Sequence, residues 1–145
     1  MNRRGLTVSE LVIALVIIGA LVAMTVPRIG QSMTKQSMRS ARNGVVAMMA
    51  KAKASAVQRG SRTALVLVGG NLVIHSRHPV TGVTDTVGAP EDFNNRFGAY
   101  VWSSRDSLMF DPRGMGMESG PTTVIVSKGS YSDTIVVSGA GRVLR

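Results

Sequence analysis

The chain has 145 residues, with 17 Lys or Arg against 8 Asp or Glu for a formal charge of +9, and it contains no cysteine. That length supports one small domain with a modest core. The missing cysteines exclude a disulfide framework, a thiol nucleophile and a cysteine-based zinc site, so the fold must rest on packing alone.

The first element is an apolar helix. Residues 1–5 are a short basic leader carrying Arg3 and Arg4, and residues 11–26 form an apolar run closed by Pro27. Sixteen residues give about 24 Å of helix, short for a hydrocarbon core ~30 Å thick. Counting from Leu6 gives about 32 Å, which spans, but places Glu10 within the span. An acid near the bilayer centre costs roughly 2.5–3.5 kcal/mol, so it calls for a partner. Alternatively, Glu10 lies at the headgroup level as a charge at the helix start, where the helix dipole favours it. A cleavable secretory signal would end in small residues, and Ala23-Met24-Thr25 is a poor version of such a site.

Gly5-Leu6-Thr7-x-x-Glu10 followed by the apolar run resembles the class III leader of type IV pilins and type II secretion pseudopilins. The resemblance implies cleavage between Gly5 and Leu6 by a prepilin peptidase, and N-methylation of Leu6. It also implies pairing of Glu10 with the new amino terminus of a neighbouring subunit during filament assembly. Gly19 and Pro27 match the helix-weakening positions of that family, and both residue types have low helix propensity. Flanking positive charge does not orient the span, since Arg28, Lys35, Arg39 and Arg42 follow it. The resemblance implies a cytoplasmic amino terminus, a single pass through a bacterial inner membrane and a periplasmic head.

Residues 27–60 continue the helix in amphipathic form, so one helix is expected from near Leu6 to near Arg59. At ~100° per residue, Met38, Ala41, Val45, Met48, Met49, Ala52 and Ala56 share one arc, suited to close packing on a sheet. Arg28, Lys35, Arg39, Arg42 and Lys53 share an adjoining arc. No acidic residue occurs between Glu10 and Asp85. Such a basic stripe attracts phosphates, anionic headgroups or acidic partner surfaces.

From residue 61 to residue 145 the pattern becomes that of strands. Residues 63–68 and 72–75 flank Gly69-Gly70-Asn71 as a hairpin. Residues 76–98 read as loop with a short strand at 83–87. Further strands are expected at 99–102, 107–110, 122–127 and 134–138, with a short edge strand at 142–144. Asp111-Pro112-Arg113-Gly114 is a turn, with proline preset for its second position. A helix followed by a run of strands defines an α+β fold, with the long helix packed on an antiparallel sheet.

The tail carries a second resemblance. Leu108-Met109-Phe110-Asp111-Pro112-x-Gly114 and Thr134-Ile135-Val136-Val137-Ser138-x-x-Gly141-Arg142-Val143 are similar to the carboxyl-terminal signature of the GspH/FimT family. Leader and tail together imply a minor pseudopilin of a type II secretion system, with other pseudopilins or pilins, the peptidase and the inner membrane as partners. The alternative is a FimT-type minor pilin of a type IV pilus that binds DNA for uptake through a Gly-Arg-x-Arg end. Here Arg142 and Arg145 are three apart, which on a strand sends them to opposite faces, so nucleic acid is the less favoured partner.

No catalytic set is legible, and neither a cofactor nor a metal is expected. His75 and His78 lack carboxylates or cysteines that would complete a metal site. There is no Gly-x-Ser-x-Gly elbow, and Gly139-x-Gly141 lacks the third glycine and following helix of a dinucleotide loop. Met115 and Met117 read as loop or core filler, and Trp102, within a strand, as a core residue.

Overall fold

The computed structural model describes residues 7–144, with the side chains of residues 25–29 and 31 excepted. Helix α1 runs Val8–Arg59, continuous through Pro27. By contact density the chain divides into Met1–Lys35 and Gln36–Arg145.

Within the first unit, Thr7 and Glu10 form a reciprocal cap. Thr7 N donates to Glu10 Oε2 at 2.9 Å, and Glu10 N donates to Thr7 Oγ1 at 3.3 Å. This Thr-x-x-Glu box satisfies two amides that the helix start leaves without intrahelical partners. Beyond it the helix is apolar all round: Leu11, Val12, Ile13, Leu15, Val16, Ile17, Ile18, Leu21 and Val22 are each more than half exposed. Among the described residues no helix is long and apolar enough to cross a membrane. The flanks Leu6, Thr25 and Val26, counted in the expected span, lie outside the described residues or side chains.

In the second unit, the helix segment buries Met38, Ala41, Val45, Met48, Met49, Ala52 and Ala56. These are the seven positions that the 3.6-residue period groups on one arc. They pack in one core with side chains from two sheets, where one sheet was expected. Strands β1 (Thr63–Val68), β2 (Asn71–Arg77), β3 (Thr84–Thr86) and β6 (Ser107–Phe110) form sheet 1 in the order β3-β2-β1-β6, and β4 (Glu91–Asp92) pairs with β2. Strands β5 (Tyr100–Ser103), β7 (Thr122–Lys128), β8 (Tyr131–Val137) and β9 (Val143–Leu144) form sheet 2 in the order β5-β7-β8-β9. Every pairing is antiparallel.

The split falls between β5 and β6. They are neighbours in sequence but do not pair with each other: β5 joins β7 and β6 joins β1. The three residues between them cross from one sheet to the other. Ser104 N donates to Thr123 O and Leu67 N donates to Asp106 O, both at 2.9 Å. Arg105 Nη1 meets Glu118 Oε2 at 2.6 Å, with the Glu118 side chain only 15% exposed. Local periodicity finds both strands, but the choice of partner depends on these distant contacts.

A second helix, α2 (Phe93–Phe97), lies in the segment expected to be loop. Asp92 caps its start, accepting from Asn95 N at 2.9 Å. Phe93 is fully buried, and a Cβ at Gly44 would stand 3.0 Å from its ring. Gly44 therefore tolerates its helix-propensity cost because it makes room for an aromatic ring.

Candidate functional site

The residues expected to matter for processing and assembly cluster at the amino end. Gly5 and Leu6 lie outside the described residues, as do the side chains of Pro27 and Arg28. Glu10 is exposed and its carboxylate is engaged with Thr7 through both the amide and the hydroxyl, each at 2.9 Å. A Cβ added at Gly19 would meet nothing within 4 Å. The single chain thus contains no packing reason for that glycine.

The basic arc does not act as one surface. Lys35 and Arg39 are exposed, whereas Arg42 and Lys53 are half-buried. Arg42 Nε lies 3.3 Å from Asp133 Oδ2 on β8. That nitrogen is buried and out of hydrogen-bond geometry, so the contact is an ion pair only. Lys53 Nζ stands 5.7 Å from the centre of the Phe110 ring, a cation–π contact. Two of the five cations are therefore spent on the head's own packing.

Arg142 is exposed, with its amide held by the Ser138 hydroxyl at 3.1 Å, and Arg145 lies outside the described residues. The two tail motifs interlock. Asp111 Oδ1 accepts from Arg113 N and Met115 N, at 2.9 and 2.8 Å, closing the Asp-Pro-Arg-Gly turn. Gly116 N then donates to Ala140 O at 2.9 Å. A Cβ at Gly116 would fall 2.4 Å from Gly139 O, and one at Gly139 would fall 2.4 Å from Glu118 O. Gly141, at φ +77°, presses against the Phe110 ring. The segments around the tail signature thus form a backbone-to-backbone clasp, and Gly116, Gly139 and Gly141 are there because no side chain fits.

Trp102 corrects its reading as core: it is 56% exposed on β5, beside Tyr100 at 64%. The strand alternates, and Val101 takes the inward position. A mixed aromatic and aliphatic strand does not itself say which face is buried. His75 and His78 do not converge on a shared ligand. His75 Nδ1 contacts Thr86 Oγ1 at 3.4 Å, while His78 Nδ1 accepts from Val80 N and Thr81 N at 3.3 Å. Among the described residues no cluster of three or more His, Asp or Glu could hold a metal.

A helix packed on antiparallel sheets has solved counterparts. The type IV minor pilin FimU of Pseudomonas aeruginosa shares the fold at a TM-score of 0.59 and 17% identity, over 76% of this chain and 88% of that one. A second crystal form of FimU gives 0.54 and 18% identity, over 73% and 90%. The molecule is accordingly a pilin-like α+β protein. Within that class the chain belongs to the family of the type II transport protein GspH, whose model matches residues 41–141. It is also similar to the pilin-like protein PilA1 of Thermus thermophilus, 25% identical over 158 aligned positions that cover 98% of this chain and 97% of the other.

Proposed function

We propose that the chain is a minor subunit of a type II secretion pseudopilus, with a structural rather than catalytic role. In this reading a prepilin peptidase cuts between Gly5 and Leu6, and the new Leu6 amine is methylated. Residues 6–26 then anchor the subunit in the inner membrane, amino terminus in the cytoplasm and head in the periplasm, until it enters the filament. The observation that carries the proposal is the first part of α1: apolar on every side over residues 11–22, with its large side chains more than half exposed, and opened by a capped acid. A helix apolar all round must be covered by lipid or by other helices.

Mass spectrometry of the mature protein tests the processing step. Loss of residues 1–5 and one added methyl group on Leu6 is the expected result, and an intact Met1 would falsify it. The proposed role of Glu10 has its own test. Glu10→Gln preserves the capping box, because Gln serves there as well as Glu, but removes the charge. Loss of filament incorporation in that variant, with helix content unchanged, supports pairing with a neighbouring amine. Normal incorporation would leave Glu10 a cap alone.

A second reading, a minor pilin of a type IV pilus, is favoured by the names of FimU and of the pilin-like PilA1. Deleting the gene separates the two. A secretion defect with pili intact supports the pseudopilus, and lost pili with normal secretion supports the pilus.

A further inference from the structure

Half of the methionines in the head are buried and half stand in the open. Met38, Met48 and Met49 are at most 6% exposed, whereas Met109, Met115 and Met117 are 36%, 52% and 43% exposed. The register puts the exposed three on one face. Phe110 bridges to Gly116, Met117 N donates to Met109 O at 2.9 Å, and Asp111 N donates to Met115 O at 2.8 Å. Met109 therefore stands opposite Met117, and Asp111 opposite Met115, all on the face away from the buried Phe110.

The row continues across sheet 1. Met109 pairs with Ala64, Ala64 with His75 and His75 with Thr86. Two strand spacings, about 10 Å, separate Met109 from His75, and the residue between them carries only a methyl group. Met109, Ala64 and His75 accordingly line one recess of about 180 Å³. Thr86 Oγ1 lies 3.4 Å from His75 Nδ1. With the Nδ1 proton donated to that hydroxyl, the Nε2 lone pair is left for a ligand. Metal-binding histidines fix their tautomer in this way.

These donors suit a narrow set of ligands. Thioethers are uncharged and coordinate soft ions, and imidazole is a donor that copper accepts. Hard ions demand several oxygens, and the one carboxylate in these rows, that of Asp111, already accepts the Arg113 and Met115 amides on Oδ1. Charge points the same way. Arg77 N donates to Arg62 O at 3.0 Å, so the two arginines are opposed at the open end of the β1–β2 hairpin, and both line the recess. Their repulsion grows with the charge of the ion, so a monovalent ion is penalised less than a divalent one. Arg77 Nε also donates to Gly82 O at 3.2 Å, which ties that guanidinium to the turn after β2.

We infer that Met109, Met117 and His75 form a binding site for Cu(I), with Met115 as a neighbouring fourth donor. Two thioethers and a neutral imidazole satisfy a soft monovalent ion without adding charge. A purely apolar contact surface would have no use for an imidazole oriented at the end of the row. The site lies on the outer face of sheet 1, opposite the buried Leu65 and Ile74, and holds for either filament system.

The test uses the full chain in nanodiscs of zwitterionic lipid, with Cu(I) kept reduced by ascorbate and competed against a coloured Cu(I) chelator. Wild type should take one Cu(I) per chain. Met109→Leu/Met117→Leu keeps side-chain size and apolarity and should weaken binding at least about tenfold, as should His75→Gln. Met24→Leu/Met33→Leu, which removes two exposed methionines of the long helix, should leave the affinity unchanged. No Cu(I) uptake by wild type would overturn the inference. So would equal affinity in Met109→Leu/Met117→Leu, which would leave the methionines an apolar contact surface, or an equal loss in the helix control. A second measurement needs no variant. In wild type labelled on its methionine methyl groups, Cu(I) should shift the resonances of Met109 and Met117 and leave those of Met38, Met48 and Met49 in place. Uniform shifts, or none, would overturn the site.

Discussion

The open end of sheet 1 and the outer face of sheet 2 belong to the same head but handle charge in opposite ways. The first gathers Arg62, Arg77 and His78 without an acid among them. The outward positions of the second, Tyr100, Trp102, Thr123, Ile125, Ser127, Ser132, Thr134, Val136 and Leu144, include no charged residue. In a chain of formal charge +9, both arrangements depart from the mixed surface that keeps a small domain soluble. Net charge therefore says little about this protein until it is resolved by face. The basic arc on the helix illustrates the point, because Arg42 and Lys53 are drawn into the head's own contacts.

The clasp of residues 111–116 against residues 139–141 lies between the two regions, with Pro112 on the cationic recess and Gly116 on the turn that leads into β9. Breaking it should disturb both. Gly139→Ala would place a Cβ 2.4 Å from a backbone oxygen that cannot rotate away. A loss of about 2–4 kcal/mol is expected in chemical denaturation followed by circular dichroism. Unaltered stability would show that the clasp yields easily.

The contrast between the faces of sheet 2 can be sharpened on one strand. Val101→Ala removes an inward side chain that is 6% exposed and should cost about 1.5–3 kcal/mol. Trp102→Ala, one residue along and far larger, should cost less than about 1 kcal/mol, since its side chain faces outward. If the tryptophan proves the costlier of the two, the outer face is covered by something within the chain. The smallest effect is expected at Asp133→Asn, which removes the partner of Arg42. Both side chains are partly in water, at 28% and 42% exposure, so about 0.5 kcal/mol or less should be lost, and less still at high salt.

Much of the fold was legible in advance where order is local. The helix came from a period of 3.6, and its seven buried positions from the same arithmetic. The strands came from alternation bounded by glycine and proline. The Thr7–Glu10 box is equally local, a Thr-x-x-Glu pattern ahead of an apolar run, in which the same acid serves as cap and as candidate assembly contact. The short helix Phe93–Phe97, by contrast, was hidden. Five residues carry too little periodicity to register, and only the Asp92 cap and the Gly44 recess mark it.

What the sequence determined by itself was the long helix and its buried stripe, the longer strands, and the residues of the leader and tail signatures. Each is written in neighbours a few positions apart, within reach of side-chain periodicity and turn chemistry. What only the tertiary structure decided was the division into two sheets, the outward turn of Trp102, the fit of glycine against glycine in the clasp, and the meeting of Arg62 with Arg77. Those four depend on which distant strands pair and in what register. A one-residue slip would reverse every face, and that choice is made by the packing of the whole head.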